Sequence, residues 1–166
     1  ESLRGLIRES VVGLGSRDYS DEQIASALTH LFGVDTRLID DGTYFVVEEP
    51  GRSAPVACGG WSRRRTLFGG DQYGDRSDDR LDPGAEAARI RAFFVHPDRA
   101  RRGIGAMLIE ACERAARDEG FRRMELMATL TGIPLYERRG FVAREPVELS
   151  LPDGVRFPLV RMEKTF

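Results

Sequence analysis

The chain lacks several features that would indicate particular classes of protein. Its 166 residues include only two cysteines, Cys58 and Cys112, too few for a disulfide framework or a structural metal site. No segment reaches the run of about 18 apolar residues that a membrane-spanning helix needs. The formal net charge is only −2, so the overall electrostatics do not indicate nucleic acid or an anionic membrane as a partner. We therefore expect no metal, no membrane and no nucleic acid.

The composition that remains is that of a globular domain. Hydrophobic residues make up 41% of the chain and charged residues 31%, both ordinary values for a folded protein. The length suits one domain with a sizeable core. Cys58 lies in a strand-like run and Cys112 in a helical pattern, so we expect two buried free thiols and a reducing, cytoplasmic setting.

Local patterns predict a mixed α/β chain. Apolar spacing predicts a helix over 3–12, and a second helix begins after Ser20, with Gln23 placed as in a capping box. Two turn-bounded runs, 42–49 and 55–64, predict a β-hairpin. In the second run Gly59 and Gly60 indicate a bulge or a close backbone approach.

The second half reads as strand, helix, strand, short helix and two strands. The predicted segments lie near 88–95, 102–119, 121–129, 132–138, 141–149 and 155–166. Pro158 indicates that the last strand is an edge strand or is bulged there. Between the halves, residues 66–87 are polar and glycine-rich, and such a long loop is either functional or a solvated excursion.

The clearest functional signal is the loop 99–106 at the start of the predicted helix. It places Gly103 and Gly105 beside three arginines, and exposed N–H groups at a helix N-terminus with positive charge suit a phosphate. A dinucleotide fingerprint would need a third glycine where Leu108 stands, and a Walker loop would need Lys-Ser/Thr after Gly105. Both alternatives are therefore excluded.

With these residues the chain resembles the Gcn5-related N-acetyltransferase family. The family signature Gln/Arg-x-x-Gly-x-Gly/Ala matches residues 100–105, with Ala100 at its first position. A second match is Tyr136 followed by Gly140-Phe141, the family's Tyr-x-x-x-Gly-Phe ending, and Thr129 stands at the family's usual asparagine position. The resemblance covers residues 3–166 in element order and is motif-specific over 88–142.

The resemblance implies a fold and a co-substrate. The fold is α/β (α+β), with a central mixed, mostly antiparallel sheet that is flanked by helices and splayed at the acetyl-CoA site. Residues 1–166 then form one domain, and a first strand missing before Glu1 stays open. The implied contacts to acetyl-CoA come from Arg101, Arg102, Gly103, Ile104, Gly105 and Ala106 at the pyrophosphate, from Phe93, Phe94 and Val95 along the pantetheine arm, and from Thr129.

By the same resemblance Tyr136 is the general acid that protonates the departing sulfur; the alternative is a packed aromatic that helps seat the co-substrate. No carboxylate lies in 88–95, so the general base is not identified, and Glu86 and Asp71 are among the candidates. Two positions have open roles. Arg89 and Arg91 either line the acceptor pocket and favour an anionic substrate or are solvated, and Trp61 is either an acceptor wall or core.

The implied function is direct transfer of an acetyl group from acetyl-CoA to a primary amine. The acceptor is a small molecule or a peptide, and a homodimer is left open. The alternative is a catalytically silent domain that binds or senses acetyl-CoA.

Overall fold

The protein is built on one six-stranded sheet. The computed structural model describes residues 1–166. Along the chain the elements are α1 (Ser2–Gly15), α2 (Asp21–His30), α3 (Thr36–Asp40), β1 (Tyr44–Val47), β2 (Ala57–Ser62), β3 (Ala88–Val95), α4 (Ile104–Asp118), β4 (Arg123–Thr129), α5 (Ile133–Arg138), β5 (Val142–Ser150) and β6 (Arg156–Thr165). The strand order is β1-β2-β3-β4-β6-β5, and only the β3–β4 pair is parallel. The predicted fold class is confirmed.

Helices cover both faces of the sheet. On one face α4 packs Ile109, Cys112 and Ala116 against a core that includes Ile90 and Leu126. On the other face α1 packs against Cys58 and Phe94, and α2 packs against Phe157 and Leu159. Both cysteines are buried and free, as predicted. No helix combines the length and the apolar character that crossing a bilayer would take.

Capping explains where α2 begins, and length explains why α3 was not predicted. The Ser20 side chain accepts the Gln23 N–H at 3.2 Å, and the Gln23 side chain accepts the Ser20 N–H at 3.0 Å. This is the predicted capping box. In contrast, α3 has only five residues, too few for a helical period to show in the sequence.

The sheet opens between β3 and β4. These strands pair only through Ala88 with Met124 and Arg89 with Glu125, and beyond those pairs they diverge. The C-terminal halves of β3 and β4 therefore border a gap in the sheet. This is the splay that the family resemblance implies.

A bulge lies on β3 beside the gap. Cys58 pairs with Phe94 whereas Gly60 pairs with Arg91, so β3 carries one residue more than β2 between these pairs. Ala92, within that stretch, has the left-handed φ of 56°. A Cβ on Gly59 would lie 2.6 Å from the Phe93 ring. The predicted bulge and close approach are both present, but the additional residue belongs to β3 and not to β2, the strand that contains Gly59 and Gly60.

Pro158 is not on an edge strand, because β6 lies between β4 and β5. The edge-strand prediction is therefore wrong for the strand as a whole. The β4 ladder ends where Thr129 meets Leu159, so Pro158 lies one residue beyond it and pairs only with Glu148 of β5. Because no β4 acceptor needs its missing N–H, proline is tolerated there.

The long loop is tied down in its first half. The backbone N–H groups of Gly70 and Asp71 donate to carbonyls of residues 31–34 at 2.8 and 3.0 Å. The Gln72 side chain donates to the same segment at 2.7 Å, and Phe68 and Tyr73 pack on the core cluster around α2. The interpretation of 66–87 as a solvated excursion is therefore wrong for residues 68–73.

Candidate active site

The loop before α4 has a backbone shape that suits an anion. Gly103 is the N-cap residue of α4 with φ 82° and ψ 0°, and Arg101 is also left-handed, with φ 62°. Left-handed residues in such turns direct neighbouring amide N–H groups into a concave, anion-binding surface. A Cβ on Gly103 would meet nothing within 4 Å. Glycine is therefore favoured at 103 by its conformation and not by lack of space.

Gly105 has a different reason to be glycine. A Cβ there would lie 2.7 Å from a methyl carbon of Leu135 in α5. The absence of a side chain thus lets the first turn of α4 lie against α5, the helix that carries Tyr136. Glycine is therefore favoured at 103 by backbone conformation and at 105 by packing against α5.

The three arginines of this loop are not equivalent. The Arg99 side chain forms an ion pair with Glu49, with an Nε–Oε1 distance of 2.6 Å. Arg101 and Arg102 are exposed and take part in no ion pair. Two uncompensated positive charges therefore stand beside the left-handed turn, and the loop fits the pyrophosphate of acetyl-CoA on grounds of both shape and charge.

The peptide bond between Ala92 and Phe93 is oriented by the bulge. The Ala92 carbonyl oxygen faces the Tyr44 hydroxyl at 3.5 Å and the Cys58 sulfur at 4.0 Å. In a trans peptide the following N–H points the opposite way, so the Phe93 N–H points away from these side chains. The Val95 N–H is already bonded to the Ser10 hydroxyl oxygen at 3.1 Å. Of these two amides, only the one at Phe93 is a candidate to bind a ligand in the gap.

Tyr136 lies in α5 next to the same gap. Its ring is 6.5 Å from that of Phe93 and 5.9 Å from that of Phe141, centroid to centroid. Burial raises the pKa of Tyr136 well above its ordinary value of 10, so the hydroxyl keeps its proton at neutral pH. Tyr136 is thus a protonated group that lies beside the gap.

Thr129 ends β4 and holds the turn into α5. Its side-chain oxygen accepts the Gly132 N–H at 3.1 Å. This bond fixes the turn that carries Tyr136 into place, so the residue has a structural contact besides the predicted one to the co-substrate.

The two arginines of β3 already have carboxylate partners. Arg89 is 2.8 Å from Glu125, across the last pair before the strands diverge, and Arg91 is 2.7 Å from Asp35. The interpretation that both are solvated is wrong, because their side chains are only 13% and 2% exposed. Since both charges are compensated, the argument that these arginines favour an anionic acceptor loses its support.

Trp61 belongs to the core. It is 2% exposed, and its ring meets the edge of Phe121 at 6.1 Å. The interpretation of Trp61 as an acceptor wall is therefore wrong, because its side chain is almost completely buried. Gly59 of the same strand is the residue that faces Phe93 and the gap.

Neither candidate base stands free. Glu86 accepts the Asp82 N–H and pairs with Arg65, and these bonds hold the pKa of Glu86 below its ordinary value. Asp71 accepts hydrogen bonds from the backbone and side chain of Thr36 at 2.9 and 3.1 Å. Sequence reasoning also missed Asp35, whose only signal would have been its position before a short helix.

Comparisons with known proteins agree with this arrangement. The profile of the Acetyltransferase (GNAT) family matches residues 11–141. Among solved structures, a Gcn5-related N-acetyltransferase from Rhodopseudomonas palustris superposes with a TM-score of 0.70 at 20% identity, over 99% of this chain and 88% of its own. The PaiA N-acetyltransferase from Thermoplasma acidophilum, solved with coenzyme A, gives 0.65 at 14% identity over 99% and 91%.

A third structure, YncA from Salmonella typhimurium with its cofactor acetyl-CoA, gives a TM-score of 0.61 at 16% identity over 99% of this chain and 86% of its own. No curated protein sequence matches the chain. The structural likenesses are evidence of a shared fold, and the family profile covers most of the chain. This protein belongs to the GNAT acetyltransferase family.

Proposed function

We propose that this protein transfers the acetyl group of acetyl-CoA directly to a primary amine. The observation that carries the proposal is the placement of three features around one gap in the sheet. These are the left-handed, positively charged loop before α4, the Phe93 amide beside the β3 bulge and the buried, protonated Tyr136.

Acetyl-CoA, when bound, supplies an activated thioester. The backbone amides of residues 101–106 hold its pyrophosphate, and Arg101 and Arg102 add charge attraction. The edge of β3 at Phe93–Val95 lies along the amide-bearing pantetheine arm, with the Val95 N–H already bonded to Ser10. The N–H of Phe93 stabilises negative charge on the thioester oxygen, and Tyr136 holds at its hydroxyl the proton that the departing sulfur needs.

Direct transfer is favoured because the chain offers no activated thiol. Burial raises the pKa of Cys58 to about 11 and the pKa of Cys112 further, so neither is a thiolate at neutral pH. An acceptor amine therefore has to attack without a cysteine intermediate. The two free thiols also support a cytoplasmic setting, which is part of the same proposal.

A silent acetyl-CoA-binding domain is the alternative. It is favoured by Ala100 at the first motif position and by the pairing of Glu86, Asp71 and Glu125 with other groups. These three carboxylates are therefore not free to take the proton of the attacking amine.

Calorimetric titration with acetyl-CoA, joined to a free-thiol assay over a panel of amines, separates the two. We expect binding together with CoA release that depends on the amine. The panel should include small aliphatic and aromatic amines, amino acids and a peptide with a free N-terminus. Binding without amine-dependent release from any of them would favour the silent domain, and no binding would contradict both.

A further inference from the structure

A buried ion cluster lies on the sheet face opposite α4. It consists of Asp35, Arg76 and Arg91 and is called the Asp35 cluster below. Asp35 is 0% exposed, and its two carboxylate oxygens lie 2.9 Å from Arg76 and 2.7 Å from Arg91. Arg91 is 4% exposed, and although burial lowers its pKa to about 10, it remains charged at neutral pH. Two positive charges thus converge on one sealed carboxylate.

One end of the cluster adjoins the β3 bulge. Arg91 directly precedes Ala92, the residue with the left-handed φ of 56°. Ala92 turns its carbonyl towards Tyr44 and Cys58, and that orientation aims the Phe93 N–H in the opposite direction. Fixing the Arg91 side chain on one face of the sheet therefore fixes the point at which β3 kinks.

The other end of the cluster holds the long loop. Arg91 donates to the Gly69 carbonyl at 2.5 Å, and Arg76 donates to the carbonyls of Gly69 and Gly70 at 3.0 and 2.8 Å. The same two guanidinium groups that bind Asp35 thus bind the loop backbone. Loop, bulge and the segment before α3 meet at one carboxylate.

The cluster is not arranged for maximal stability. Asp35 Oδ2 and Arg91 Nε are sealed from solvent, and neither makes a hydrogen bond of good geometry. Burying such charges costs desolvation free energy that imperfect pairing only partly offsets, and apolar replacements of buried ion pairs are often no less stable. Stability alone is therefore a weak explanation for this cluster.

We propose that Asp35 and Arg91 are positioning residues that set the β3 bulge and residues 69–76 of the long loop together. The proposal rests on the acetyltransferase function proposed above. In it, the cluster couples the amide that faces the thioester oxygen to residues 69–76 of the long loop. Displacing the carboxylate moves both, so the reacting groups no longer meet in the productive geometry.

Three variants separate positioning from stability. Asp35→Asn leaves the buried Arg91 charge without a carboxylate, and Arg91→Met leaves Asp35 with Arg76 as its only partner. The double variant removes both sealed charges and leaves the partly exposed Arg76. We expect each single variant to lower the melting temperature and the double variant to recover most of that loss. The double variant should still show a kcat lowered by about 10²-fold, as misplaced reacting groups do, with a much smaller change in the Kd for CoA.

Asp41→Asn is the matched control. Asp41 forms a bidentate pair with Arg64 at 2.7 and 2.8 Å, at the base of the same long loop but away from the bulge. It should lower the melting temperature slightly and leave kcat unchanged. Recovery of kcat together with the melting temperature in the double variant would overturn the proposal, and so would an equal loss of kcat in the control.

Hydrogen exchange keeps this test separate from the proposed function. In the double variant we expect faster amide exchange at residues 69–76 and 92–94 together, and in Asp41→Asn at neither segment. A wild-type protein without transferase activity would contradict the proposed function, whereas exchange would still decide on coupling. Faster exchange in only one of the two segments would overturn the positioning proposal.

Discussion

The loop before α4 and the long loop 66–87 use their arginines in opposite ways. In the loop before α4, Arg101 and Arg102 are exposed and lack carboxylate partners. In and next to the long loop 66–87 three arginines are bound to carboxylates instead, Arg64 to Asp41, Arg65 to Glu86 and Arg76 to Asp35, whereas Arg80 is exposed. The loop before α4 thus has positive charge available for a ligand, whereas Arg76 of the long loop stabilises the structure of its own loop.

This difference separates two kinds of site construction. The loop before α4 binds through backbone shape, which depends on glycine and on residues close in sequence. The long loop is shaped by side chains from distant segments, such as the Arg76–Asp35 pair 41 residues apart. The loop before α4 therefore follows from local sequence, whereas the shape of the long loop depends on contacts between distant segments of this chain.

The largest expected effect comes from Tyr136→Phe. Removing the hydroxyl should lower kcat by about 10²–10⁴-fold, the usual contribution of a general acid, and leave the Kd for CoA unchanged. Tyr73→Phe, the same change in the long loop, serves as its control in steady-state assays. Equal losses from both variants would contradict the general-acid role of Tyr136.

A smaller effect is expected at Gly103. A requirement for left-handed backbone conformation and a requirement for space predict opposite orders of CoA affinity for the alanine and asparagine variants. Alanine in the left-handed region costs roughly 1–2 kcal/mol, so Gly103→Ala should weaken CoA binding by about tenfold. Asparagine tolerates that region better, so Gly103→Asn should bind CoA more tightly than Gly103→Ala in calorimetric titration. The reverse order would mean that close approach of the phosphate, and not φ, requires glycine.

The exposed arginines should contribute modestly. Arg102→Ala should weaken CoA binding by a few-fold at low salt, as an exposed charge pair worth about 0.2–1 kcal/mol does, and by less at high salt. Arg99→Ala should matter less, because Glu49 already binds Arg99. Titrations at two salt concentrations test this, and a larger loss from Arg99→Ala would contradict the assignment of free charge.

The smallest expected effect is the loss of folding stability from the Asp41–Arg64 pair at acid pH. The hydrogen bond from Arg64 holds the pKa of Asp41 below its ordinary value of 3.8. A lowered folded-state pKa gives stability that is present above the ordinary pKa and is lost as the pH falls towards the lowered value. The free energy of unfolding of Asp41→Asn should therefore fall less steeply than that of the wild type below about pH 4. Parallel curves in denaturant titrations would show that the pair adds no stability.

The sequence was most informative where structure depends on neighbouring residues. Ser20 and Gln23 locate the start of α2 by their spacing, and Gly103, Gly105 and Tyr136 identify the family. The bulge was expected from Gly59 and Gly60, yet the additional residue lies on the partner strand. Register depends on how two strands pair, so the residues of one strand alone do not predict it.

Long-range packing explains what sequence reasoning missed. Nothing near Asp35 in the chain indicates that Arg76 and Arg91 will meet it, and Arg89 gives no sign of Glu125, 36 residues away. The sequence around Trp61 is compatible with both a pocket wall and a core position, and the contact with Phe121 places it in the core. Acceptor specificity depends on such long-range contacts, so composition and motif spacing do not predict it.

A crystal structure with acetyl-CoA bound tests the central claim most directly. The account predicts the pyrophosphate on the backbone amides of residues 101–106, the pantetheine arm along Phe93–Val95 and the thioester sulfur within hydrogen-bond reach of the Tyr136 hydroxyl. It also predicts that the Phe93 N–H points at the thioester oxygen. Acetyl-CoA bound away from the gap between β3 and β4, or a sulfur remote from Tyr136, would contradict it.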